Sequence, residues 1–174
     1  MTFKKFMIIF ACVLAAVTVL AVIFIPRGDN SGTATFYYAR QDFAYGTPGG
    51  AIGSEQREIR GHEQDLDYLL ALYLEGPLDE KLRSPLPGKS RVRILNLETV
   101  GDALHIKLSD LSATMSDSEF TLASACMTRT CLEILNVQAV FIESGDRSVR
   151  MNPANLQFYD ESTSVLFKER EETK

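Results

Sequence analysis

Apolar positions along this chain follow three patterns. In the first, short runs rich in β-branched and aromatic residues read as strands. They are Thr33–Ala39 (TATFYYA), Glu58–Arg60, Arg91–Glu98 (RVRILNLE), Ala103–Leu108 (ALHIKL), Val137–Ile142 (VQAVFI) and Arg147–Met151. In the second, apolar residues recur at helical spacing. Between His62 and Glu75, Leu66, Leu69, Leu70 and Tyr73 fall at i, i+3, i+4 and i+7, which makes one buried face. Gly76-Pro77 ends that helix, because glycine takes a left-handed cap and proline cannot continue. A second helix opens at the capping box Ser116-Asp117-Ser118-Glu119 and runs to about Leu135. Phe120, Ala123, Met127, Cys131 and Ile134 share its apolar face, and Asn136 sits where a positive-φ cap is expected. The third pattern is an unbroken run of twenty uncharged residues, Phe6–Ile25.

Glycine and proline punctuate these elements. Ala44–Ser54 holds four glycines and a proline and reads as a loop, and residues 78–90 read as a polar loop. Val100-Gly101-Asp102 joins two strands into a hairpin, and Ser144-Gly145-Asp146 turns the last pair. The resulting order is β-β-α-β-β-α-β-β. It predicts an α+β domain in two layers, one mixed sheet with both helices on one face.

The long apolar run changes how the rest is read. As a helix it is roughly 30 Å long, the thickness of a bilayer's hydrocarbon core. Lys4 and Lys5 precede it and no acid comes before Asp29, so the expected orientation keeps the N-terminus in the cytoplasm. The following domain is then extracytoplasmic, on a single-pass membrane anchor. A cleaved signal peptide is a second reading, but its apolar core is normally about 7–15 residues, and the nearest small-x-small site is Gly32-Thr33-Ala34. Lipid attachment at Cys12 is a third, and it would leave Val13–Ile25 as an exposed apolar segment. The expected organisation is an anchor over 1–27, a linker over 28–32, the folded domain over 33–160 and a charged tail over 161–174.

All 23 acidic residues fall after residue 27, with all but three of the 18 basic ones, so that part carries a net charge of −8. Phosphate contacts need clustered lysine and arginine, so nucleic acid is not an expected partner. Cys126 and Cys131 stand five apart in one helix, with side chains roughly 140° apart around it. They read as small apolar residues rather than a disulfide.

Few residues offer chemistry. His62 is expected at a helix start, and His105 on the solvent face of its strand beside Ala103 and Lys107. Asp65 and Asp67 are two apart, off a shared helical face, and read as helix-start electrostatics rather than an acid–base pair. Ser109 ends a strand without a G-x-S-x-G elbow and reads as a turn residue. Gly49-Gly50-Ala51-Ile52-Gly53 lacks the Lys-Ser/Thr of a phosphate loop. Tyr37, Tyr38 and Tyr45, with that glycine loop, offer a surface for a small ligand or cell-wall glycan. A half-exposed edge strand is the simpler reading of the first two. No catalytic, cofactor-binding or metal-ligating residue is expected, and no cofactor.

Several pieces also occur in a recognisable order. Ile52–Ile59 (IGSEQREI) precedes the first helix, and Leu74-Glu75-Gly76-Pro77 ends it. Leu86-Pro87-Gly88 opens the hairpin and Leu108-Ser109 closes it. Thr130-Cys131-Leu132-Glu133 leads to Val137, Val140 and Ile142. This order resembles the GerMN domain, the sporulation and spore-germination module of bacterial envelope proteins, over about residues 33–151. The chain departs from it at Cys131, where the family tends to have leucine, and near Asn136, where it tends to have glycine. The resemblance implies a fold like that of ring-building modules in secretion-type complexes. It also implies a non-catalytic role in envelope assembly, with another envelope protein or further copies of the chain as partner.

Overall fold

The computed structural model describes residues 32–43, 50–88 and 91–159. The expected anchor and tail lie outside these residues, as does Tyr45. No described helix is long and apolar enough to cross a membrane.

The strands form two sheets. In the first, β1 (Thr33–Arg40) lies between β2 (Ile52–Glu58) and the two-residue β3 (Leu82–Arg83), antiparallel to both. In the second, β4 (Ile94–Val100), β5 (Ala103–Leu108), β6 (Ala139–Ser144) and β7 (Arg147–Met151) lie side by side in chain order. There β5 and β6 are parallel and the outer pairs antiparallel. The helices are α1 (Leu66–Leu74), α2 (Asp117–Ile134) and the short α3 (Pro153–Leu156), followed by a 3-10 turn at Gln157–Tyr159.

The domain is α+β, but the single mixed sheet is corrected to two. One cause lies along the free edge of β1. The Tyr37 amide donates to Thr130 Oγ1 on α2 at 2.9 Å, and β3 pairs with Ala39 and Arg40. A helix side chain and a stub of strand occupy the edge that the second hairpin would have needed.

The expected placement of both helices on one face is corrected by α2. Its predicted face is right: Phe120, Ala123, Met127 and Cys131 are buried in the main core, with Ile134 packed against it. Yet Leu122 and Cys126 are buried against Ala39 and Ala51, and Ala125 against Met151 and Leu156. The helix touches β1 of one sheet and β6 and β7 of the other. Ser124 and Thr130 are buried among these contacts, and each hydroxyl donates to the carbonyl four residues back. Ser116 and Glu119 form the expected capping box.

Several boundaries also differ, among them β4 and β6, each shifted two or three residues later than expected. The strand expected at Glu58–Arg60 lies earlier, at Ile52–Glu58, because Gly53 is a strand residue and not a loop residue. A Cβ there would meet a Leu82 methyl at 2.5 Å, so glycine leaves room for the Leu82 side chain that reaches across β1 from β3. The first helix is shorter than expected, with Asp65 as its N-cap accepting from the Tyr68 amide. Asn136 takes no positive φ; the last helical turn ends at Leu135 in an extended conformation.

Arg57 fastens α1 to the first sheet. Its side chain is 5% exposed and pairs with Glu55 at 2.8 Å. The guanidinium also donates to the Leu72 carbonyl at 3.0 Å and to the Gly76 carbonyl. The Leu72 carbonyl lies in the last turn of α1 and the Gly76 carbonyl just beyond the cap, where intrahelical donors run short. Glu55 in turn accepts from the amides of Leu78 and Asp79, each at 2.9 Å. Removing one partner of a buried pair strands the other charge. Arg57→Ala is therefore expected to destabilise the fold by about 3–5 kcal/mol in urea unfolding followed by circular dichroism. Arg57→Lys should recover little of that loss, because an ammonium lacks the planar fork.

Candidate functional site

Strand alternation in the second sheet sends Leu104, Ile106, Leu108, Val140 and Ile142 into the core. The residues between them form the opposite face, which no described helix covers. Register arranges that face in rows. Glu98, His105, Phe141 and Arg150 stand opposite one another across all four strands. Asn96, Lys107, Glu143 and Ser148 form the next row. His105 stacks on Phe141, with ring centroids 5.2 Å apart. Among the described residues none of Glu98, Lys107, Glu143 and Arg150 takes part in an ion pair.

The rim of this sheet is apolar in places. Val100 is 55% exposed at the end of β4, and Leu95 is 56% exposed at an irregularity in the β4–β5 register. Such a bulge also twists an edge away from indiscriminate pairing.

A second feature lies beside β1. Tyr37, Arg40, Gly53, Arg129 and Tyr159 line a cleft of about 230 Å³, with the Arg129 guanidinium 5.0 Å from the Tyr37 ring centre. A wider cleft of about 630 Å³ adjoins it through Arg40, Gly53 and Ser54. Of the tyrosines read from sequence, Tyr37 lines this cleft. Tyr38 does not, which corrects the half-exposed reading for that residue. It is fully buried, stacked on Tyr73 at 5.0 Å, and its hydroxyl donates to the Tyr73 carbonyl.

The remaining candidates fall apart in space. His62 precedes α1, stacks on Tyr68 at 3.8 Å and holds Nδ1 3.5 Å from Asp65 Oδ2. The Tyr68 amide holds the Asp65 carboxyl below its usual range, as a helix cap does. His105 is on the sheet's outer face as expected, and neither cleft is lined by a histidine. Ser109 Oγ accepts from the Arg93 amide and donates to the Arg91 carbonyl, which corrects the expected local turn role: it ties the end of β5 to the segment before β4. Among the described residues no group of three histidine, cysteine or acidic side chains could hold a metal ion.

No family model matches the chain, and no curated protein matches it. A solved Clostridium perfringens structure described as "Putative Lipoprotein" is similar at 16% identity, covering 76% of this chain and 96% of that one, with a TM-score of 0.43. Likeness at that level transfers no function.

The charged rows escaped the sequence reading. Each strand's alternation was visible, but the rows join residues on both sides of α2. Arg129 and Tyr159 came to the cleft from distant elements in the same way.

Cys126 and Cys131 are free and fully buried. Burial raises both thiols, Cys131 to about 12. A raised thiol stays protonated and unreactive at neutral pH. Alkylation at pH 8, mapped by peptide mass, should leave both unmodified in folded protein and modify both in denaturant.

Proposed function

We propose that this chain is a membrane-tethered interaction module of the bacterial cell envelope, of the kind that GerMN domains represent in sporulation and spore germination. The anchor Phe6–Ile25 holds the domain on the extracytoplasmic side of the cell membrane. The outer face of the second sheet then meets a protein partner. The role is non-catalytic and involves no cofactor and no nucleic acid.

One observation carries this reading. An uncovered four-stranded face presents four charged side chains without ion-pair partners among the described residues, around a stacked His105–Phe141 pair. A solvated face explains such charges singly. Their regular placement around an aromatic centre fits a contact patch with a polar rim. A photocrosslinking residue at position 107 in the full chain should give a discrete protein adduct in intact membranes. The same residue at the exposed position 63 should give none. Equal, diffuse labelling from both positions would remove the support for this face.

The cleft beside Tyr37 favours a second reading, binding of cell-wall glycan or a small ligand. Aromatic rings beside arginine suit sugar faces and their acidic substituents. On that reading the full chain sediments with insoluble cell-wall glycan and Tyr37→Ala abolishes the binding. Sedimentation unchanged by Tyr37→Ala would count against it.

A further inference from the structure

The charges on the outer face of the second sheet are self-complementary. Take a twofold axis along the strands, midway between β5 and β6. It exchanges β4 with β7 and β5 with β6, because the spatial order is β4-β5-β6-β7. Applied to the first row, it sets Glu98 against Arg150 and His105 against Phe141. Applied to the second, it sets Lys107 against Glu143. Every charge on the two rows meets its opposite, and each aromatic ring meets another. No charge in either row meets its like.

We infer that the occupant of this face is a second copy of the same chain, the two sheets stacked face to face about that axis. This rests on the interaction-module reading and names its partner. Such isologous packing is the commonest way in which proteins form closed pairs. Stacked sheets lie about 10 Å apart, within reach of facing lysine and glutamate side chains. The face is four strands wide and about six residues long, roughly 300–400 Å², which is small beside the ~800 Å² per partner of a stable interface. Contact therefore depends on both copies being tethered to one membrane, where effective concentration is high.

Charge exchange tests this directly. The full chain is co-expressed with two different tags, and co-isolation from membranes is measured. Wild-type copies co-isolate. K107E sets two glutamates against each other twice per pair, and E143K does the same with lysines. Each alone should lower co-isolation about tenfold, a like-charge effect of about 1.4 kcal/mol. Mixed together, K107E and E143K restore both attractive pairs, and co-isolation should return to the wild-type level. Lys107 and Glu143 are also neighbours within one chain, but a defect confined to one chain is not rescued by mixing. E98R mixed with R150E gives an independent second pair, so misfolding of one variant leaves the test intact.

Absence of wild-type co-isolation, or failure of both mixtures to rescue, overturns the inference. A position-107 adduct with a different envelope protein and none with the chain itself also overturns it, while leaving the interaction-module reading in place. Absence of any adduct sinks both.

Discussion

A buried guanidinium–carboxylate pair ties the first sheet to the helix that covers it. Arg57 rises from β2 to bind carbonyls in and just after the last turn of α1, which makes a helix end part of a strand's environment. Glu55, two residues earlier on the same face, holds the amides of Leu78 and Asp79. That fixes where the chain goes after Pro77 and delivers Leu82 and Arg83 to the edge of β1. The Arg57 guanidinium also lies 5.9 Å from the centre of the Phe36 ring in the core. A charged pair taken out of water is costly unless its remaining donors and acceptors are satisfied, and here backbone groups satisfy them. The pair specifies one route for the chain more than it adds stability.

The long helix α2 has a different task. It is the common wall of two sheets that do not pair with each other. Its residues face three separate apolar clusters, so its sequence is apolar or small around most of its circumference from Phe120 to Cys131. Small residues such as Ala123 and Ala125 let strands and the short C-terminal helix approach closely. Serine and threonine are tolerated because their hydroxyls return to the helix's own carbonyls.

Much of this is legible in the sequence. The apolar face of α1, the capping box of α2, the β4–β5 hairpin and the alternation around His105 all follow from local rules. What was not legible was set by contacts distant in sequence. Gly53 looks like a loop glycine until Leu82 is seen beside it. Tyr38 looks like an edge residue until Tyr73 covers it. A threonine on α2 takes the amide that would have joined the sheets, and nothing near Tyr37 announces Thr130. Likewise, Arg57 and Gly76 stand nineteen residues apart, and only the fold brings them into contact.

The parallel pairing of β5 with β6 has a kinetic consequence. Parallel neighbours need a crossover, and here it is the whole of α2. Glu98, His105 and Lys107 come from the hairpin made before that helix; Phe141, Glu143 and Arg150 come from the one made after it. Neither hairpin alone carries the outer face. The surface exists only once the helix has docked and the β6–β7 hairpin has closed, among the slower events of folding. A chain truncated before β6 would thus lack the outer face altogether.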